Sequence, residues 1–181
     1  MTRADQWHTF HTSWGWMASA WREKRFFAFT FGHRTPSQAL RWLDGQEASG
    51  EPAKAHWLKK KMICYIEDDI TGLDDIQIDI EDRTSFQQSV LNACREIPIG
   101  ETCSYQELAE KCGRPRAARA VGNVMRTNRH PLVVPCHRVV GASGKLVGYS
   151  APGGLKKKES LLGREQIAVP RSSTCHREGK G

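Results

Sequence analysis

Apolar and polar positions change their rhythm along this chain. From Gly15 to Phe31 the run GWMASAWREKRFFAFTF reads as two short strands around a charged turn at Trp21–Arg25. Thr35-Pro36-Ser37 followed by QALRWL carries a capping residue and a proline in the first turn, which predicts a helix start. Residues 44–52, DGQEASGEP, have loop composition, and 53–66 predict a short helix. Ile76, Ile78 and Ile80 alternate with Gln77 and Asp79, the pattern of a half-buried strand. Thr84 with Gln87 then makes a capping box. Phe86, Val90, Leu91, Cys94 and Ile97 share one face of the helix it opens, and Pro98 stops that helix. Ser104 with Glu107 opens a further helix, YQELAEKC, with Gly113 as a left-handed cap, and Pro115 stands near the start of another, RAARAVGNVMRTN. Two short helices joined through a glycine turn form the helix-turn-helix pattern. The expected architecture is an α/β N-terminal domain (a small antiparallel sheet with helix) over residues 1–83. A mainly α C-terminal domain with the helix-turn-helix follows over 84–168, then a polar tail, 169–181, expected to be disordered.

Charge follows the same division. Residues 1–84 carry 11 Lys+Arg against 13 Asp+Glu, a net of −2, whereas 85–181 carry 16 against 7, a net of +9. The second half can therefore neutralise phosphates, although a solvated basic surface would look the same. Residues 67–82 hold eight acids and no Lys or Arg. None of their spacings fits a calcium loop, so they read as a solvated edge. No run of about 18 apolar residues predicts a membrane span, and the N-terminus lacks the pattern of a secretory signal. The six cysteines form no CxxC pair and are expected to be free thiols. In the second helix of the pair, Val121, Val124 and Met125 recur at inward spacing. Ala117, Ala118, Ala120 and Gly122 are small, and Arg116, Arg119 and Arg126 are basic. This suits insertion into a nucleic acid groove, or an ordinary packed helix pair with its arginines in water.

The run PLVVPCHRVVG, residues 131–141, places Cys136 and His137 directly after an apolar stretch, with Glu165 available from a later helix to orient the histidine. Cys136 is either a core residue or a thiol activated by a neighbouring base. The motifs SYQELA (Ser104–Ala109), RAVGNVMRTN (Arg119–Asn128), PCHRVV (Pro135–Val140), VGYS (Val147–Ser150) and GGLKKKESLL (Gly153–Leu162) occur in this order. Over about residues 84–166 they closely resemble the O6-alkylguanine-DNA alkyltransferases (methylated-DNA–protein-cysteine methyltransferases).

The resemblance implies DNA repair by direct damage reversal, in which Cys136 takes an alkyl group from guanine O6 once and irreversibly. His137 and Glu165 would help form a ready thiolate through a water, Asn128 would brace the turn carrying the active-site loop, and Arg138 would pair within the core. Tyr105 would help rotate the target phosphate and donate a hydrogen bond to the guanine. Arg119 would fill the gap left by the extruded base. Gln106, Arg116, Ala117, Ala118, Gly122 and Arg126 would face the DNA, and Met125, Val139, Tyr149 and Ser150 would line the substrate pocket. Lys156–Lys158 would contact phosphate or form a solvated face. The base must leave the stack to react, and the thioether product has no good leaving group, so one turn without a cofactor is expected.

The implied partner is double-stranded DNA containing O6-alkylguanine, met by a monomer with no membrane attachment, in the cytoplasm of a bacterium or the nucleus of a eukaryote. No metal is expected, because the spacing of the zinc candidates His8, His11, His33, His56 and Cys64 is unconvincing. Arg129 stands where the family has proline, and Ala151-Pro152 is inserted before Gly153-Gly154, which leaves open the range of alkyl groups accepted. Three other readings remain: an alkylated-DNA-binding protein that recruits other repair factors, a helix-turn-helix regulator, and a cysteine hydrolase. The first normally lacks the cysteine. The second has no use for Asn128, Cys136, His137 and Glu165, and the third lacks a separate Asn/Asp-His pattern.

Overall fold

The computed structural model describes residues 4–45, 47–48, 53–67 and 72–168. The tail 169–181 and part of the loop at 44–52 lie outside the described residues. Three antiparallel strands, β1 (Gln6–Thr12), β2 (Gly15–Arg22) and β3 (Arg25–His33), pair in sequence order. The turn between β2 and β3 is Glu23-Lys24, both with positive φ, a two-residue geometry that matches strand twist but usually selects Asn and Gly. Asp5 accepts a hydrogen bond from Glu23 N at 2.8 Å and helps hold it. The sequence pattern showed β2 and β3. It did not show β1, where apolar and polar residues do not alternate cleanly.

Helix α1 (Pro36–Trp42) starts where Thr35 caps Gln38 N and lies against the strands. Helix α2 (Ala53–Glu67) brings Leu58, Met62 and Tyr65 onto the sheet residues Phe10, Met17, Phe29 and Phe31. Leu132, Val133 and Leu161, from the second half of the chain, complete this core. The second half packs α3 (Ser85–Arg95), α4 (Tyr105–Lys111) and α5 (Ala118–Arg126) around Val90, Leu108, Val121 and Val139. Both predicted capping boxes are formed, at Thr84/Gln87 and Ser104/Glu107. Thr84→Ala is expected to lower stability by about 1 kcal/mol, read as a fall in the denaturant midpoint at unchanged slope. Gly113 closes α4 at φ +67°, a conformation that suits glycine. A short parallel pair, β4 (Cys103–Ser104) with β5 (Val139–Val140), ties the start of α4 to the segment after Cys136, and α6 (Gly154–Ala168) is the last element among the described residues.

Two expectations about the acidic stretch are corrected. No strand forms at 76–80. Ile78 makes a single bridge to Phe26, Ile76 is buried, and Ile78 and Ile80 are half-buried. Nor is the stretch solvated throughout: among its described acids Glu67, Asp74, Asp75, Glu81 and Asp82 are exposed, but Asp79 is not. Asp79 is buried and accepts two hydrogen bonds from Arg22, at 2.8 and 2.6 Å, while Asp82 takes both ends of the Arg129 guanidinium at 2.8 and 2.6 Å. Glu81 pairs with Arg25 and Asp75 with Lys61. The Arg22 and Arg129 guanidiniums both lie over the ring of Phe27, 4.5 and 4.1 Å from its centre. Arg129 is therefore locked to the first half of the molecule. The Arg129 carbonyl accepts from Phe29 N at 2.7 Å, and Arg83 donates to Thr127 O at 2.8 Å.

Candidate active site

The segment 127–138 runs from the end of α5 to a 3-10 turn, Cys136–Arg138. Asn128 shapes it. Its amide donates to Val134 O at 3.0 Å and its carbonyl oxygen accepts from His130 N at 2.9 Å. Between them Leu132 sits at φ +74°, a strained conformation for leucine that the surrounding bonds impose. Cys136 is held at the end of this loop with 6% of its surface exposed.

Glu165 on α6 is the hub behind the thiol. It accepts from His137 Nε2 at 2.8 Å, from Arg138 Nε and Nη2 at 2.9 Å each, and from Tyr65 Oη at 3.4 Å. Arg138 also donates to Ile97 O at 2.6 Å. Burial works against the Glu165 carboxylate, but its bonds to His137 and Arg138 prevail and hold its pKa at about 2. Burial lowers the His137 pKa despite the carboxylate, so the imidazole is neutral near pH 7. With Nε2–H given to Glu165, Nδ1 carries the lone pair. Among the described residues this buried nitrogen has no partner, nor has the hydroxyl of Tyr149. Burial also raises the Cys136 pKa, opposed by the Asn128 amide and the charge of Lys158. Burial thus favours the protonated thiol at rest, against the ready anion expected from the sequence.

A cavity of about 370 Å³ opens over Cys136. Tyr105 and Gly122 line one side, Met125 and Arg126 another, and Gly148, Tyr149 and Ser150 the third. Tyr105 Oη donates to Val147 O at 3.4 Å, and Gly148, at φ +52°, lets the backbone approach that hydroxyl. Val139 is fully buried and does not line this space. On the outer surface Arg116, Arg119 and Arg126 are exposed, Ala117, Ala118 and Gly122 half-buried. The Gln106 side chain is already engaged, donating to Glu110 and to Pro115 O at 2.9 and 2.7 Å, and so clasps the turn of the helix pair.

The triple lysine is corrected. Lys158 is fully buried and donates to Val139 O, Val147 O and Gly148 O at 2.6, 2.9 and 3.3 Å, fastening the cavity wall to the turn that carries Cys136. The Lys157 ammonium lies 3.8 Å from the centre of the Trp14 ring. Of the three, only Lys156 is exposed. The signal was present in the helical spacing, since Lys158, Leu161 and Glu165 fall on one stripe of α6. Among the described residues no three His, Cys, Asp or Glu side chains converge as a metal site, and no helix is long and apolar enough to cross a membrane.

A small antiparallel sheet, a helix-turn-helix, and a buried thiol backed by imidazole and carboxylate define a class of protein with one protected, activatable sulfur beneath a basic helix. Residues 85–167 match the family described as 6-O-methylguanine DNA methyltransferase, DNA binding domain. The methylated-DNA–protein-cysteine methyltransferase of Mycobacterium bovis is 40% identical over 152 residues, 79% of this chain and 88% of the relative. That of Methanosarcina acetivorans is 56% identical over 81 residues, 44% of this chain and 49% of the relative. Among solved structures, Mycobacterium tuberculosis O6-methylguanine methyltransferase matches with a TM-score of 0.72 at 33% identity, covering 92% of this chain and 95% of that one. Mycobacterium tuberculosis OGT in complex with DNA matches with a TM-score of 0.73 at 32% identity, covering 92% and 96%. The chain belongs to the methylated-DNA–protein-cysteine methyltransferase family.

Proposed function

We propose that this protein repairs DNA by moving the alkyl group of O6-alkylguanine in duplex DNA onto Cys136, once per chain. The observation that carries the proposal is the thiol on the cavity floor. Its neighbouring imidazole is fixed by Glu165 through one nitrogen and unpartnered at the other among the described residues. The exposed arginines of α5 hold the phosphate backbone, and its small residues enter the narrow minor groove. Arg119 occupies the gap as the damaged base swings out of the stack into the cavity. Tyr105 and Ser150 donate hydrogen bonds to the purine where charge develops. The thiol proton passes through a bridging water to His137 Nδ1, sulfur attacks the alkyl carbon, and the C–O6 bond breaks with its electron pair going to guanine. The thioether cannot leave again, so the reaction ends there. In this reading a monomer acts in the compartment that holds the DNA. The N-terminal unit, 1–83, braces the reactive loop, and the unit 84–168 binds DNA and accepts the alkyl group.

Incubation with duplex DNA containing O6-methylguanine is expected to add the mass of one methylene, at most once per chain, located on the Cys136 peptide. Binding with no mass gain would favour recruitment of other repair factors. Repeated turnover, or methyl transfer by Cys136→Ala, would overturn the proposal.

A further inference from the structure

The turn between β1 and β2 is two residues long, Ser13-Trp14, and its neighbours hold the second of them in place. Thr12 Oγ1 accepts from Trp14 N and donates to Gly15 O, both at 3.1 Å. Gly15 has φ +94°, and a Cβ there would lie 2.7 Å from His33 O, so the position suits glycine alone. The half-buried indole meets the Phe31 ring at 6.0 Å and the Tyr65 ring edge-on at 6.3 Å.

Two cations of α6 gather on this indole. The Lys157 ammonium lies 3.8 Å from the ring centre and the Arg164 guanidinium 5.2 Å from it. Arg164 also donates to Tyr65 O at 3.0 Å. Burial and the charge of Arg164 both lower the Lys157 pKa, and the electron-rich ring face offsets that cost. Lys157 and Arg164 stand seven residues apart, on one stripe of the helix. Lys158 and Glu165 stand one position further on, on the adjoining stripe. Through them α6 holds the cavity wall and the His137 imidazole. The backbone hydrogen bonds of a helix make it stiff over two turns, so a contact that seats the first stripe also places the second.

We propose that Trp14 is a positioning residue for alkyl transfer: by seating α6 it sets the placement of Glu165 against His137 and of Lys158 against the cavity wall. Trp14 does not line the cavity over Cys136, so its influence passes through the helix. The inference rests on the proposed alkyl transfer. It assigns to the β1–β2 turn, at the far end of the chain from Glu165, a share in the alignment of the proton acceptor.

Single-turnover methyl transfer from a duplex carrying O6-methylguanine, read by intact mass at saturating DNA, makes the test. Duplex affinity is measured alongside by fluorescence anisotropy. Three variants are compared at a temperature where denaturant unfolding shows each to be folded. Trp14→Ala is expected to slow transfer about tenfold while the dissociation constant for the duplex changes by less than about twofold. Trp14→Phe keeps a ring face for the two cations and is expected to retain most of the rate. Trp14→Leu fills the space without that face and is expected to behave like Trp14→Ala, which keeps the comparison available if the alanine variant does not fold. The His137 Nε2–H signal in nitrogen-15 spectra is expected to shift or broaden in Trp14→Leu and to persist in Trp14→Phe. Equal rates for the phenylalanine and leucine variants, a loss confined to duplex affinity, or an unchanged His137 signal would overturn the role of Trp14 while leaving methyl transfer intact. Absence of methyl transfer by the unaltered protein would overturn the proposed function, and this inference with it.

Discussion

Glu165→Ala is expected to destabilise the protein by about 3–5 kcal/mol and to slow alkyl transfer by roughly a hundredfold or more. Removal of the carboxylate leaves the Arg138 guanidinium, itself almost fully buried, with no counter-charge, and Ile97 O as its only remaining partner named above. That uncompensated cation dominates the stability loss. The rate loss has a different origin. Without Glu165 nothing fixes Nε2–H of His137, so Nδ1 no longer presents its lone pair in one direction. Glu165→Gln separates the two effects, because it keeps the volume and one acceptor but not the charge. Both variants are to be compared by denaturant unfolding and by single-turnover mass gain at a temperature where each is folded. A wild-type rate in either would remove Glu165 from the proton path.

The second large effect comes with acid. His130 is buried in contact with the Phe26 ring and donates through Nε2 to Phe26 O at 3.1 Å. Burial pushes its pKa down to about 3, against an ordinary value of 6.5. The unfolded chain therefore takes up a proton below about pH 6.5 that the folded one refuses until about pH 3. Within that window each pH unit downwards removes up to about 1.4 kcal/mol. Glu165 and Asp82, both held at about 2, add their loss lower down. Their stabilisation is complete above the ordinary carboxylate range and disappears as pH falls towards 2. Unfolding free energy is thus expected to fall steadily from pH 6.5 to 4, where most carboxylates have yet to titrate. His130→Gln, which keeps a donor for Phe26 O but cannot titrate, is expected to flatten that slope. An unchanged slope would place the sensitivity elsewhere.

What the sequence revealed depended on whether a local rule governed the position. Thr84, Ser104 and Gly113 act within their own turn, so the helix ends were legible. Cys136, His137, Asn128 and Glu165 were legible through a motif, and the fold brings them together around the thiol. Asp79 and Lys158 were not. Each looks like a surface charge by composition, and each is buried only because a distant partner meets it: Arg22, 57 residues away, for the first, and carbonyls of the reactive segment and the cavity wall for the second. The regular alternation of Ile76, Ile78 and Ile80 misled for a related reason. The segment is fixed by ion pairs and a single bridge to Phe26 on β3, which does not extend into a ladder.

Composition and charge place a boundary near Arg83, but the energetics do not respect it. Leu132, Val133 and Leu161 belong to the core beneath the sheet, and Tyr65 reaches across to Glu165. A chain severed at that point would yield a DNA-binding fragment with a greasy scar and a slack reactive loop. The half that performs the chemistry is therefore a tenant of the half that does not. Selection for the sulfur's reactivity must act on residues such as Tyr65, far upstream of it and a hundred positions from Glu165.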